Sequence, residues 1–130
     1  CLPVYYPYGA YTNFIESNKS IVLIAKCDNN VIGYVIGEIN MEYPDRFHII
    51  SFGVCSKFRK NKIGTVLMNK IIEMVQKKYF STTKISLYVM ASNDVAINFY
   101  KSIGFKADKL MKNYYQSFNE DGYLFIKKLT

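Results

Sequence analysis

Apolar residues change their spacing twice along the chain, and the changes mark out its elements. Residues 21–27 (IVLIAKC) form a β-branched run, Asp28-Asn29-Asn30 reads as a turn, and 31–41 as the returning strand, which together signal a hairpin. Pro44-Asp45 opens a second turn, and 48–54 (HIISFGV) predicts a third strand. Then Ile63, Val66, Leu67, Ile71, Met74 and Val75 recur at helical spacing, so 63–78 is an expected amphipathic helix. Residues 84–90 (KISLYVM) alternate as a strand. Ser92-Asn93-Asp94 supplies capping side chains for a helix whose apolar face is Ala96, Phe99, Tyr100 and Ile103, with Gly104 to end it. Segments 105–110 and 123–129 read as final strands. At the start, 2–7 (LPVYYP) carries two prolines and reads as an extended loop, with 8–16 a helix candidate. Hairpin, strand, helix, strand, helix, strand, strand is the order of an α/β (α+β) fold, a mixed central sheet flanked by helices, in a single domain over 1–130.

Composition narrows the class. Half of the residues are hydrophobic and 16% aromatic, which excludes a disordered chain. Seventeen Lys and Arg against ten Asp and Glu leave a charge of +7, which favours polyanions: nucleic acid, the ribosome, acidic lipid or a phosphate-rich cofactor. Three cysteines without CxxC spacing predict neither a disulfide framework nor a zinc site. A reducing cytosol, and hence a cytoplasmic protein, is the simplest reading. No metal is expected, and no apolar run approaches the roughly 18 residues of a membrane span. The chain opens on Cys1 and its first residues read as a loop, so a first strand and part of a first helix are expected to be missing from it.

The junction 54–65 (VCSKFRKNKIGT) runs from strand through basic loop to helix. A helix start leaves backbone N–H groups unpaired and carries the positive end of the peptide dipoles, so it can bind a phosphate. Gly64 lies in the first turn, where the missing Cβ lets an anion approach. Lys57, Arg59, Lys60 and Lys62 surround it with charge. Taken alone, such a loop is more often simply solvated.

A second block changes that balance. Arg59-Lys60-Asn61-Lys62-Ile63-Gly64 resembles the Arg/Gln-x-x-Gly-x-Gly/Ala cofactor motif of the GNAT superfamily of N-acetyltransferases. Lys62 stands where that family usually has its first glycine, so its backbone must find an allowed conformation. Residues 93–105 (NDVAINFYKSIGF) resemble the family's N-x-x-A-x-x-F-Y-x-x-x-G-F block, in the right order after a helix and a strand. LPVYYP and Lys112-Asn113-Tyr114-Tyr115 are similar to the peptide-binding loops of the NatE-type N-alpha-acetyltransferase catalytic subunit. The resemblance spans nearly the whole chain. It implies the GNAT fold, acetyl-CoA as acetyl donor, and acetylation of protein α-amines, typically Met-apolar N-termini. An auxiliary acetyltransferase subunit or the ribosome is the implied partner class; neither a membrane nor a specific nucleic acid is expected.

The resemblance also implies roles. Arg59, Lys60, Lys62, Gly64 and Thr65 would hold the pyrophosphate. Phe52 and Val54 would offer backbone groups to the pantetheine arm, with Phe52-Gly53 as the bulge that opens the strand. Asn93 would bond the same arm, and Tyr100 would lie beside the cofactor sulfur and protonate it. Leu2, Pro3, Val4, Tyr6, Ile50, Tyr114 and Tyr115 would line the peptide pocket. In the NatE-type subgroup a tyrosine and a histidine on two strands hold a water; here His48 and Tyr88 occupy those positions with the types exchanged. Direct transfer needs the amine neutral, and an α-amine, with a pKa of about 7.7–8.0, needs less help than lysine at about 10.4. His48, the one histidine, is the more basic member of that pair.

Period-two alternation groups His48, Ile50, Phe52 and Val54 on one side of their strand, and Lys84, Ser86, Tyr88 and Met90 on one side of the other. Glu38 is a competing base. His48 as a strand-edge residue, Tyr88 as a half-buried β-former, Tyr100 as a core aromatic and Tyr114-Tyr115 as sheet-edge aromatics are the bland alternatives. Two other functions stay open: a lysine or small-amine acetyltransferase on the same scaffold, and a non-enzymatic basic module for ribosome or nucleic acid. Against the last, the lysines are scattered and no nucleic-acid-binding motif is present.

Overall fold

The first hairpin turns on Asp28 and Asn29, both left-handed at φ 51° and 69°, as in a two-residue type I′ turn, so the ladder closes at Cys27 opposite Asn30. The three-residue turn read from the sequence is thus one residue shorter. The computed structural model describes residues 4–7, 19–40 and 42–129, the side chains of 4–7, 60 and 61 excepted. The chain divides into two compact units, Cys1–Thr82 and Thr83–Thr130.

In the first unit β1 (Val4–Pro7), β2 (Ser20–Cys27), β3 (Asn30–Ile39) and β4 (Arg46–Val54) pair antiparallel in that order. A 3-10 turn over Ser56–Asn61 then leads to α1 (Ile63–Lys78). Residues 4–7, expected as loop, form a strand against β2 with Pro7 opposite Leu23. Proline is tolerated there because an edge strand need not donate on both sides. Leu2, Pro3 and the helix candidate over 8–16 lie outside the described residues. Leu67, Met68, Ile71 and Val75 of α1 are fully buried, as are Leu23, Ala25, Val35 and Phe47 of the strands. Burying each large apolar side chain contributes about 1.5–3 kcal/mol. Gly33 lets α1 come close, since a Cβ there would lie 3.0 Å from Leu67 Cδ1, and the Phe47 ring lies over Gly37.

In the second unit β5 (Lys84–Met90) and β6 (Lys106–Tyr115) flank β7 (Glu120–Lys128), both antiparallel to it. Between β5 and β6 runs α2 (Asp94–Ser102). Asn93 caps α2 by accepting the Ala96 N–H at 3.2 Å. The helix ends as Phe105 N–H donates back to the Tyr100 carbonyl at 3.0 Å and Gly104 turns left-handed at φ 101°. Lys127 Nζ donates to the Ile103 carbonyl at 2.5 Å, a further cap on the same end. Ile85, Leu87, Val89, Tyr100, Phe105, Leu124 and Phe125 form the core.

Most of β6 is exposed, so its polar run concealed a strand that continues to Tyr115 rather than stopping at 110. Cys27 is disulfide-bonded, a correction to the sequence reading, since spacing along a chain does not reveal which sulfurs meet in space. Cys55 is free and exposed. No helix among the described residues is long and apolar enough to cross a membrane.

Candidate active site

The strand-to-helix junction is built around one strained residue. Lys62 adopts φ 61° and ψ 21°, the left-handed conformation in which a glycine fits without a Cβ penalty. That turn ends the 3-10 segment and starts α1, whose first regular bond runs from Val66 N–H to the Lys62 carbonyl at 3.1 Å. No side chain caps the helix and no acidic residue sits in its first turn. The N–H groups of Ile63, Gly64 and Thr65 therefore have no partner within the helix. Gly64 is buried and Thr65 half-buried, while Lys57, Arg59 and Lys62 are exposed. Arg59 folds back so that Nε–H donates to the Val54 carbonyl at 3.2 Å, pinning the turn to the end of β4. Of Lys60 only the backbone is placed. An uncapped helix end, free of acids and ringed by cations, has the donor set that a diphosphate requires.

On β4 the bulge is not at Phe52-Gly53. Ile36 faces Ser51 and Gly37 faces Ile49, so Ile50 is the extra residue. An inserted residue reverses the alternation that follows it. Hence Phe47, Ile49, Phe52 and Val54 share the face toward α1, where Val54 Cγ2 lies 3.4 Å from the Cβ position of Gly33. His48 faces the other way, directly across from Glu38, on the side that also carries Tyr34, Ser51 and Gly53. The grouping of His48 with Phe52 and Val54 is corrected accordingly, and Ile50 is 47% exposed.

On the His48 side Ser51 Oγ–H donates to Tyr34 Oη at 3.1 Å, and a Cβ on Gly53 would meet the Tyr34 ring at 2.9 Å. Burial pushes the His48 imidazole below its ordinary value, and the positive charge of Arg46 adds to the effect. His48 is consequently neutral near pH 7.

In the second unit three of the expected residues meet. The Tyr88 and Tyr114 rings stack at 4.5 Å between centroids and 21° between planes, and Tyr114 meets Tyr115 edge-on at 5.0 Å. Burial raises the Tyr114 phenol above its usual range, with Tyr88 adding to it. Tyr115 is raised by burial, then by Tyr114 and Tyr88. Tyr88 and Tyr114 belong to strands that both pair with β7 and not with each other. Gly122 between them makes the meeting sterically possible: a Cβ there would lie 2.9 Å from Tyr115 Cε2 and 3.2 Å from Tyr114 Cβ.

Tyr100 is 9% exposed and packs edge-on against Phe105 and Phe125 at 5.8 and 6.4 Å. Asn93 spends its side-chain oxygen on the α2 cap, which leaves the amide nitrogen as the group able to donate to a ligand. Leu2 and Pro3 lie outside the described residues, and Val4 and Tyr6 are placed only as backbone of β1.

Sequence reasoning missed Ile50 as the bulge, the Tyr34–Ser51 pair, Gly122 and Asp121. Only Gly122, opposite a Tyr-Tyr pair across a hairpin, carried a legible hint. Among the described residues no group of three His, Cys, Asp or Glu gathers as a metal site.

The uncapped helix start, set among cations, is of a kind that fits a phosphorylated ligand, and the tyrosine cluster of the second unit presents rings and hydroxyls of the kind that receive a polar substrate. The model of the acetyltransferase (GNAT) family matches residues 1–105 of the 130. An N-alpha-acetyltransferase from Sulfurisphaera tokodaii is 29% identical, the alignment covering 98% of this chain and 81% of that protein. Among solved structures, Ard1 from Thermoplasma volcanium superposes with a TM-score of 0.76 at 25% identity, over 84% of this chain and 70% of that one. A GNAT family acetyltransferase from Elizabethkingia anophelis with acetyl-CoA bound has the same TM-score, at 19% identity and 98% coverage of both chains. The chain belongs to the acetyltransferase (GNAT) family. It has the mixed α/β fold of that family, and it is an acyltransferase rather than a non-enzymatic binding module.

Proposed function

We propose that this enzyme moves the acetyl group of acetyl-CoA to the α-amine of protein N-termini, with Met-apolar termini preferred. The observation that carries the proposal is the Tyr88–Tyr114–Tyr115 cluster, an aromatic wall with hydroxyls suited to an extended peptide backbone. The likeness to a protein named N-alpha-acetyltransferase supports the same reading.

Acetyl-CoA supplies an activated thioester. The protein's own groups do the rest. The N–H groups at the α1 start, with Arg59, Lys60 and Lys62, bind the diphosphate; Gly64, lacking a Cβ, lets it come close, with Thr65 beside it. Backbone groups of Phe52 and Val54 and the amide nitrogen of Asn93 orient the arm. The Val54 carbonyl already accepts from Arg59, so any further bond there uses its second lone pair. Tyr100 Oη donates a proton to the departing sulfur. His48 takes the amine proton through a water, and Tyr88 is the second group proposed to hold that water. Leu2, Pro3, Val4, Tyr6, Ile50, Tyr114 and Tyr115 receive the first residues of the peptide.

The weakness of the base argues for this substrate over lysine. An imidazole held below about 6.5 is well matched to an amine of about 7.7–8.0. Neutralising a lysine side chain at about 10.4 demands roughly 3.5 kcal/mol more. The +7 charge suits an anionic docking partner such as the ribosome, with an auxiliary subunit as the other candidate partner, in the cytoplasm.

Mass spectrometry of acetylation on peptides varied at their first two residues tests the proposal. Acetylation confined to free α-amines, fastest on Met-Leu or Met-Ile starts, is expected. Equal rates on N-blocked peptides with internal lysine, or on small amines alone, would return the enzyme to the alternative substrate class.

A further inference from the structure

We infer that Asp121 is a positioning residue for the peptide site, clamping the arch of β6 that lays Tyr114 on Tyr88. The inference rests on the peptide reading above. Met111 pairs with Gly122 and Tyr115 with Glu120, so three residues of β6, Lys112, Asn113 and Tyr114, stand opposite Asp121 alone. Such an arch leaves backbone groups without ladder partners. Asn113, at its crest, is left-handed at φ 51°.

Asp121 answers both problems at once. Its Oδ1 accepts the Asn113 N–H at 2.7 Å, and its Oδ2 lies 3.5 Å from Lys112 Nζ. Its main-chain carbonyl meanwhile accepts the Ala91 N–H at 2.9 Å, just beyond the end of β5. One residue thus ties the arch that carries Tyr114 to the end of the strand that carries Tyr88. Those strands lie on either side of β7, roughly 9–10 Å apart. The Tyr88 and Tyr114 rings close that gap to a 4.5 Å stack, with Gly122 leaving room beneath Tyr114, and the Asp121–Asn113 bond holds the arch from which Tyr114 projects. The Asn113 hydrogen bond is the largest influence on the Asp121 carboxyl and holds it below its ordinary range, so it is an ionised acceptor at neutral pH.

The test compares Asp121→Ala, Asp121→Asn and Tyr114→Ala in the whole protein. Asp121→Asn keeps an oxygen for the Asn113 N–H and gives up the charge, both toward Lys112 and in that bond. Asp121→Ala is expected to raise the peptide KM about fivefold, leaving the acetyl-CoA KM and the CoA-induced thermal shift in place. Asp121→Asn should stay within about twofold of wild type, and Asp121→Ala should add less than about twofold in the Tyr114→Ala background. Full multiplication of the two effects, or Asp121→Asn as damaging as Asp121→Ala, overturns the inference.

Amide exchange of Asn113 by NMR separates this outcome from failure of the peptide reading. Whatever the substrate, Asn113 should exchange about tenfold faster in Asp121→Ala, and in Asp121→Ser as a second variant, than in wild type. Unchanged exchange in both refutes the clamp itself.

Discussion

Lys62→Gly should make this enzyme more stable. Lys62 sits at φ 61° and ψ 21°, where an L-residue's Cβ crowds the following carbonyl at a cost of about 1–2 kcal/mol. Glycine avoids that cost but gives up about 0.5–1 kcal/mol through its greater freedom in the unfolded chain. The net gain is about 0.5–1 kcal/mol. Unfolding entropy of about 2.1 cal/mol/K per residue, over 130 residues, makes roughly 0.27 kcal/mol per degree, so Tm should rise by about 2–4 °C.

The substitution also deletes a charge beside the α1 start, so two controls separate conformation from electrostatics. Lys62→Ala deletes the charge and keeps the strain, and its Tm should stay near wild type. Lys62→Asn, which tolerates the left-handed region, should fall between alanine and glycine. Differential scanning fluorimetry without ligand gives the order. Titration with CoA at two salt concentrations gives the charge effect, an affinity loss of about twofold to fivefold for alanine that shrinks as salt rises. A glycine variant no more stable than the alanine variant would refute the reasoning, because it would mean that Lys62 carries no backbone strain.

Other perturbations follow from the same kind of geometry. Gly104→Ala should lower stability by about 1–3 kcal/mol, because φ 101° is hostile to any Cβ and that carbon would also lie 2.6 Å from Lys127 Nζ; thermal melts read it directly. Gly122→Ala should raise the peptide KM and leave the acetyl-CoA KM unchanged, since its Cβ collides with Tyr115 and with the immobile Cβ of Tyr114; steady-state kinetics in each substrate separates the two. The lowered pKa of His48 has a definite sign. The imidazole is neutral in both states above about 6.5, and below that value the unfolded chain binds the proton first. Stability is therefore lost as pH falls from about 6.5 toward the folded pKa, and His48→Gln should remove that part of the slope in denaturant melts across pH.

The elements were largely legible because their signals are local. The α1 stripe of Leu67, Ile71 and Val75 and the Asn93 cap arise within a turn or two of chain, and they appear where spacing placed them. What the sequence concealed depends on register. Nothing in HIISFGV tells which residue β3 skips, so the residue types alone place the bulge two positions late and put Phe52 and Val54 on the wrong face. The β6 arch was hidden for a similar reason, since three residues opposing one is a property of two strands and not of either. Cys27 belongs with these, because its pairing is a fact of space. Lys62 differs: its departure from glycine was visible, and only its φ showed that the backbone requirement had survived the loss of the residue that meets it most cheaply.

The pH dependence of the reaction separates the proposed base from a merely structural His48. For direct transfer to an α-amine, kcat/KM falls tenfold per pH unit below about 7.7–8.0, because only the neutral amine reacts. If His48 must also be neutral to take the proton, a second ionisation adds below about 6.5, and the limb steepens to about a hundredfold per unit. His48→Ala should leave the upper limb in place and abolish the steepening, with a lower plateau. Its Arg46 neighbour contributes to the depression, so Arg46→Met should move the second break upward in pH. The profile distinguishes roles that a single-pH assay cannot. Were the histidine only packed against Glu38's strand, its loss would lower activity at every pH by one factor and leave the shape of the limb unchanged. A low-pH limb whose shape is the same in wild type, His48→Ala and Arg46→Met would therefore remove His48 from the chemistry, whatever its substitution does to the rate.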